Sequence, residues 1–140
     1  MKSKYTPTTV KAEINTLGYC PEGIGKVLEG DHKDITVFVE NTCPGDIITA
    51  ETYQHKKRFL KAELRSIETE GPHRIKPQCP IAKVCGGCNW QHIDYSYQLE
   101  AKTKSVQETL IKVAEITDFD MRPTIKSPQE WNFRSKAQFP

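Results

Sequence analysis

The 140-residue sequence has no run approaching the ~18 consecutive apolar residues that a membrane-spanning helix needs. Residues 1–14 contain no apolar core of signal-peptide length, so the expected compartment is the cytoplasm. An excess of charge of one sign is also missing. Twenty basic residues face 18 acidic ones, a net charge of +2, so only local concentration of charge can point to a nucleic-acid partner. There is no glycine-rich strand–turn–helix loop for a nucleotide cofactor. Nor is there a paired nucleophile: Cys20 and Cys43 lack a His or Asp at a recognisable spacing, and His32, His55 and His73 are scattered in expected loops. Five cysteines is an odd number, which argues against a disulfide framework in a reducing compartment. Internal repeats and low-complexity tracts are absent. Disorder is excluded as well. Only 36% of the residues are hydrophobic, but Ile, Val, Leu and aromatics run through most of the chain.

What is present begins with short alternating segments. Val10, Ala12 and Ile14 alternate with Lys11, Glu13 and Asn15; Ile35, Val37 and Val39 alternate again, with Phe38 on the other face. Cys43-Pro44-Gly45-Asp46 reads as a turn, residues 47–53 as a further strand, and Lys56-Lys57-Arg58 as a hairpin tip. Leu60, Ala62 and Leu64 then alternate with Lys61, Glu63 and Arg65. Four or five such strands in residues 1–67 predict a small antiparallel, OB-like β-barrel. Residues 68–94 are rich in Gly, Pro and Cys without period, so something inorganic is expected to order them. Asp94 is placed to cap a helix over residues 95–113, with Leu99, Val106, Leu110 and Val113 as a packing face and Glu100/Lys104 and Glu108/Lys112 as i,i+4 pairs. A strand is expected over residues 133–139. The chain stops there without a cap or polar tail, as if cut inside a larger domain, so residues 95–140 are expected to be the helix and the start of a further domain.

The chemistry is concentrated in Cys79, Cys85 and Cys88, a C-x5-C-x2-C spacing with Gly86 and Gly87 inside it. The glycines let the backbone curl and bare N–H groups toward thiolate or sulfide. Two metal centres suit this pattern. An iron–sulfur cluster would take the three thiolates plus a fourth ligand, from Cys20, Cys43 or beyond residue 140. A zinc ion would take Cys79, Cys85, Cys88 and His92 as a closed Cys3His site. Lys56, Lys57, Arg58, Lys61 and Arg65 lie within ten residues that hold only Glu63 as an acid, a pattern suited to holding a nucleic-acid backbone on a small barrel.

The order of these motifs resembles the N-terminal part of the iron–sulfur-containing, S-adenosylmethionine-dependent RNA (uracil-5-)-methyltransferases that act on 23S ribosomal RNA. The matching residues are Leu17-Gly18-Tyr19, Glu22-Gly23-Ile24-Gly25-Lys26-Val27, Val37-Phe38-Val39 and Pro44-Gly45-Asp46, which look like the small RNA-binding TRAM barrel. They continue with Pro72-His73-Arg74, the cysteine motif with Gln91-His92, and Trp131-Asn132-Phe133-Arg134-Ser135-Lys136 with Phe139-Pro140. The resemblance covers almost the whole chain.

It implies a [4Fe–4S] cluster on Cys79, Cys85 and Cys88, with a fourth cysteine beyond residue 140, and so favours iron–sulfur over zinc. It implies methyl transfer to C5 of uridine by a Rossmann-like, S-adenosylmethionine-binding domain that is absent from this chain, leaving it inactive alone. RNA is the implied partner, 23S rRNA first and tRNA second, met through Lys56, Lys57, Arg58, Lys61, Arg65 and Arg134. No DNA or membrane partner is expected, and a monomer is. The rival expectations are a non-catalytic zinc module that binds RNA and a small electron-transfer protein.

Overall fold

A computed structural model describes residues 6–18 and 21–133, without the Lys83 side chain. Five strands come first: β1 (Thr9–Leu17), β2 (Glu22–Val27), β3 (Thr36–Glu40), β4 (Ile47–Lys56) and β5 (Phe59–Thr69). They close into a barrel in the order β1-β2-β3-β5-β4. A short helix α1 (Ala82–Cys85) and a long helix α2 (Tyr95–Lys112) follow.

The barrel is OB-like, but it is not wholly antiparallel as the alternation suggested. β3 and β5 run parallel, Val37 opposite Leu60 and Val39 opposite Ala62, while the other four seams are antiparallel. Parity requires this, because a closed ring with an odd number of strands cannot alternate direction all the way round. A register shift between Ile14 and Thr16 bends β1, as a bulge does, and lets its two halves serve different partners.

Period-two alternation then sorts the side chains. Val10, Ala12, Ile14, Val27, Val37, Val39, Ile48, Ala50, Leu60 and Ala62 point inward and form one core, each at most 5% exposed. Apart from Leu60, the residues filling the interior are β-branched or alanine, with no aromatic among them. Leu64 and Ile67, where β5 leaves the barrel, are only partly buried.

Helix α2 starts as its sequence predicts. Asp94 accepts hydrogen bonds from the backbone N–H of Ser96 (3.0 Å) and of Tyr97 (3.3 Å). Lys112 reaches Glu108 at 2.8 Å, whereas Glu100 and Lys104 form no ion pair among the described residues. The expected packing face is only partly covered: Leu99 and Leu110 are half-buried. No residue of α2 is buried, and Val106 and Val113 are 53% and 75% exposed. Thr124 lies back along the helix, its backbone N–H donating to Thr103 Oγ1 at 3.0 Å. Of the strand expected over residues 133–139 only Phe133 is described, and it is not in a strand. None of the described helices is long and apolar enough to cross a membrane.

Candidate functional site

Below the barrel the chain forms a neck. Arg74 and Ile93 make an antiparallel bridge. The backbone N–H of Ile75 donates to His92 O at 3.0 Å, and that of Asp94 to His73 O at 2.9 Å. The cysteine segment, residues 76–91, is the excursion that leaves and re-enters through this neck.

Two buried contacts fasten the neck to the turn between β3 and β4. Asp46 is fully buried; its carboxylate accepts from Arg74 Nη2 at 2.5 Å, Arg74 Nε at 3.0 Å, Gly71 N at 2.8 Å and Cys43 N at 2.6 Å. Burial works against the charged carboxylate. Arg74 and the two backbone N–H groups outweigh it and hold the Asp46 pKa below the ordinary range. The turns cross so closely that side chains are excluded. A Cβ on Gly71 would lie 2.2 Å from Pro44 O, and one on Gly45, where φ is +89°, would lie 2.7 Å from Pro72 Cδ. In the second contact, the His92 ring nitrogen Nε2 lies 3.1 Å from Thr42 O, and the residue is 8% exposed. Burial lowers its pKa, so the ring is neutral and donates its Nε2–H to that carbonyl. On the helix side, His73 stacks on Tyr97 with ring centroids 4.0 Å apart.

Of the cysteines, Cys79 is half-buried while Cys85 and Cys88 are exposed, and all three are free thiols. Cys79 stands just before α1 and Cys85 ends it. Gly86, left-handed at φ +66°, turns the chain toward Cys88. The three thiols share one loop, but no three His, Cys, Asp or Glu side chains gather as metal ligands among the described residues. A metal entering here would have to draw the loop in, as metals do when they order short segments. His92 is tied to Thr42 through Nε2, so a Cys3His site could use only its Nδ1.

A further observation bears on an iron–sulfur cluster. Trp90, two residues after Cys88, keeps its indole N–H buried with no hydrogen-bond partner among the described residues. An orphaned buried donor costs about 1–3 kcal/mol, and cluster sulfide or thiolate is an acceptor. Three free thiols, a left-handed glycine between two of them and an unused buried donor share one segment, donor chemistry suited to a cluster, although the thiols are not gathered into a ligand set. Cys43 fits no reactive role. It is fully buried, and burial, together with the nearby Asp46 charge, pushes its pKa up to about 11. Cys20 lies outside the described residues.

The basic residues divide into two sets. Lys56, Lys57 and Arg58 are exposed at the β4–β5 tip, and none is in an ion pair among the described residues. Lys61 instead reaches Glu22 at 2.6 Å, and Arg65 reaches Glu51 at 2.7 Å and Glu63 at 3.2 Å. The Arg65 pairs are exposed and worth only about 0–1 kcal/mol, and the Lys61–Glu22 pair is partly buried; all of them cancel local charge. Arg134 lies outside the described residues. Between the outer side of β5 and the cysteine loop runs a groove of about 670 Å³, lined by Tyr53, Arg65, Arg74, Cys88, Asn89 and Gln91 among others. The Asp46–Arg74 contact and the outward aromatics Phe38 and Phe59 were not among the expected site residues. The Phe38 signal, an aromatic out of phase with the apolar alternation, was visible in the sequence.

No family model matches the chain. It is similar to proteins named uncharacterized RNA methyltransferase: 33% identical over 95% of the chain to one from Synechocystis sp., 32% over its whole length to one from Bacillus cereus, and 34% over 98% to one from Bdellovibrio bacteriovorus. The chain spans 28%, 30% and 34% of those three relatives.

Proposed function

We propose that this chain is the RNA-gripping, cluster-carrying N-terminal part of an S-adenosylmethionine-dependent methyltransferase that modifies C5 of a uridine in 23S rRNA. The observation that carries the reading is similarity along nearly the whole chain to proteins named RNA methyltransferases, on a barrel whose β4–β5 tip is cationic. In OB-like barrels the connection between strands 4 and 5 borders the oligonucleotide-binding face. Lys56, Lys57 and Arg58 stand at that connection and hold phosphates, which fixes register without reading sequence. The rest of the longer protein binds S-adenosylmethionine and performs the methyl transfer.

Cys79, Cys85 and Cys88 would hold three irons of a [4Fe–4S] cluster, with Trp90 Nε1–H as a donor inside the same loop. When bound, the cluster supplies a compact cross-link and an electron reservoir. The chain's own residues fix where it sits, since Asp46–Arg74 and Thr42–His92 seat the neck of its loop on the barrel. The experiment is anisotropy titration of labelled 23S rRNA fragments with the chain at several salt concentrations. Binding with a salt slope that falls on Lys57→Glu supports the reading; affinity indifferent to salt and to Lys57→Glu removes it.

A further inference from the structure

The outward face of β2, β3, β5 and β4 carries a charge gradient with an aromatic pair in its middle. Strand register sets its rows. Lys26, Thr36, Phe59 and Lys56 lie side by side across the four strands, and Ile24, Phe38, Lys61 and Gln54 form the next row. Phe38 and Phe59 meet edge to face, centroids 5.3 Å apart, and both are half-buried. At the tip end stand Lys56, Lys57 and Arg58, with Lys26, whose ammonium, among the described residues, bonds only the uncharged Asp34 O and Thr36 Oγ1. At the far end stand Glu22, Glu40 and Glu63, and the Lys61–Glu22 pair marks the boundary. The β2–β3 connection lies at the tip end too, its His32 ring 5.0 Å from that of His55, and sets Glu29, Asp31, Lys33 and Asp34 beside the cations, which still outnumber the acids there.

We infer that this face selects unpaired RNA, with bases stacked on the Phe38–Phe59 pair and phosphates held by Lys26, Lys56, Lys57 and Arg58. The inference rests on the proposed RNA reading and adds to it the class of RNA. An aromatic pair in mid-sheet can be used only by a base whose face is free, which a duplex does not offer. The flanking cations match an anionic backbone, and the acidic edge stops it at Lys61. The strand therefore crosses the sheet near the tip instead of running along β5. The footprint is short, at the low end of the roughly 4–16 nucleotides that one OB fold covers.

The test compares a single-stranded RNA of about 12 nucleotides with its duplex, by anisotropy on the 140-residue chain, with circular dichroism of every variant as the check on folding. The single strand is expected to bind at least tenfold tighter. Phe38→Leu and Phe59→Leu, which keep apolar bulk, should each weaken it about 5- to 150-fold without changing the salt slope, and Phe38→Trp should retain binding. Lys57→Glu should instead lower the slope and weaken both RNAs. Equal affinity for duplex and single strand, or unchanged single-strand affinity in both Leu variants, overturns the inference while leaving RNA binding intact. Absence of any RNA binding, or tighter binding of an acidic peptide, overturns both.

Discussion

Replacing Asp46 by Ala tests how the cysteine segment is attached to the barrel. The carboxylate is fully buried and accepts four hydrogen bonds, two from Arg74 and two from backbone N–H groups of turns on either side of the crossing. Its removal leaves the Arg74 guanidinium, only 10% exposed, without its counter-ion, and strands the N–H groups of Cys43 and Gly71. Removing one partner of such a pair costs about 3–5 kcal/mol. At ~0.05–0.15 kcal/mol per residue, a barrel of about sixty residues has roughly 3–9 kcal/mol in all, so the variant should sit close to its unfolding midpoint without denaturant. Arg74→Met should cost less, because Asp46 keeps both backbone donors. Asp46→Ala combined with Arg74→Met should recover part of the loss, with a coupling of about 0.5–3 kcal/mol. Urea titration followed by far-ultraviolet circular dichroism gives these numbers. The pH dependence has a definite sign. A carboxylate with a depressed folded pKa stabilises the protein above its unfolded value, near 3.8, and loses that contribution as pH falls through the folded one. The gap between parent and Asp46→Ala should therefore be full at neutral pH and close in acid. A loss below about 1 kcal/mol at neutral pH would refute the assignment of this pair as the attachment.

The two sets of basic residues should separate in the salt dependence of RNA binding: Lys57→Glu with Arg58→Glu lowers the slope by about 2, whereas Lys61→Ala with Glu22→Ala leaves it nearly unchanged. Anaerobic reconstitution with iron and sulfide should give a brown protein that fades in air. Cys79→Ser, Cys85→Ser or Cys88→Ser should each abolish the colour and Cys20→Ser or Cys43→Ser should not; stoichiometric zinc without sulfide, released by His92→Ala, would reject the cluster. Maleimide should label Cys79, Cys85 and Cys88 in the folded metal-free chain but reach Cys43 only after unfolding. Because the Cys43 pKa is raised to about 11 from 9.0, its contribution is complete below pH 9 and lost as pH rises toward 11; Cys43→Ala should remove up to about 3 kcal/mol of that alkaline decline, read from urea midpoints at pH 8 and above. Purified alone, the chain should transfer no methyl group from S-adenosylmethionine to uridine in a tritium-release or mass assay.

The barrel was legible because each strand declares its inward residues locally: Val10, Ala12 and Ile14, or Val37 and Val39, need only period two. The parallel β3–β5 seam was not, since nothing near Val37 names Leu60 as its neighbour. The same gap misled the reading of charge. The sequence window around Lys61 and Arg65 shows one acid, but strand pairing delivers Glu22 and Glu51 from elsewhere in the chain. Asp46 and Arg74 each sat in a recognised motif, a turn and a Pro-His-Arg triplet, and their meeting across 28 positions is a tertiary fact. Helix α2 was legible from its Asp94 cap, but periodicity announces an apolar face without saying what covers it.

The neck has a consequence for how strongly the loop can hold anything. Bringing together the ends of a free segment of roughly sixteen residues costs about (3/2)RT ln n, or ~2.5 kcal/mol. Here the ends, at residues 75 and 92, are already joined by the backbone bond from Ile75 to His92. That entropy is spent when the barrel folds, so the three thiols act at a raised effective concentration, equivalent to about 60-fold in ligand affinity over the same peptide cut free. The coupling is reciprocal: loosening the neck dilutes the thiols, and a ligand held by the loop returns the same free energy to the neck as stability, which a chelator would remove.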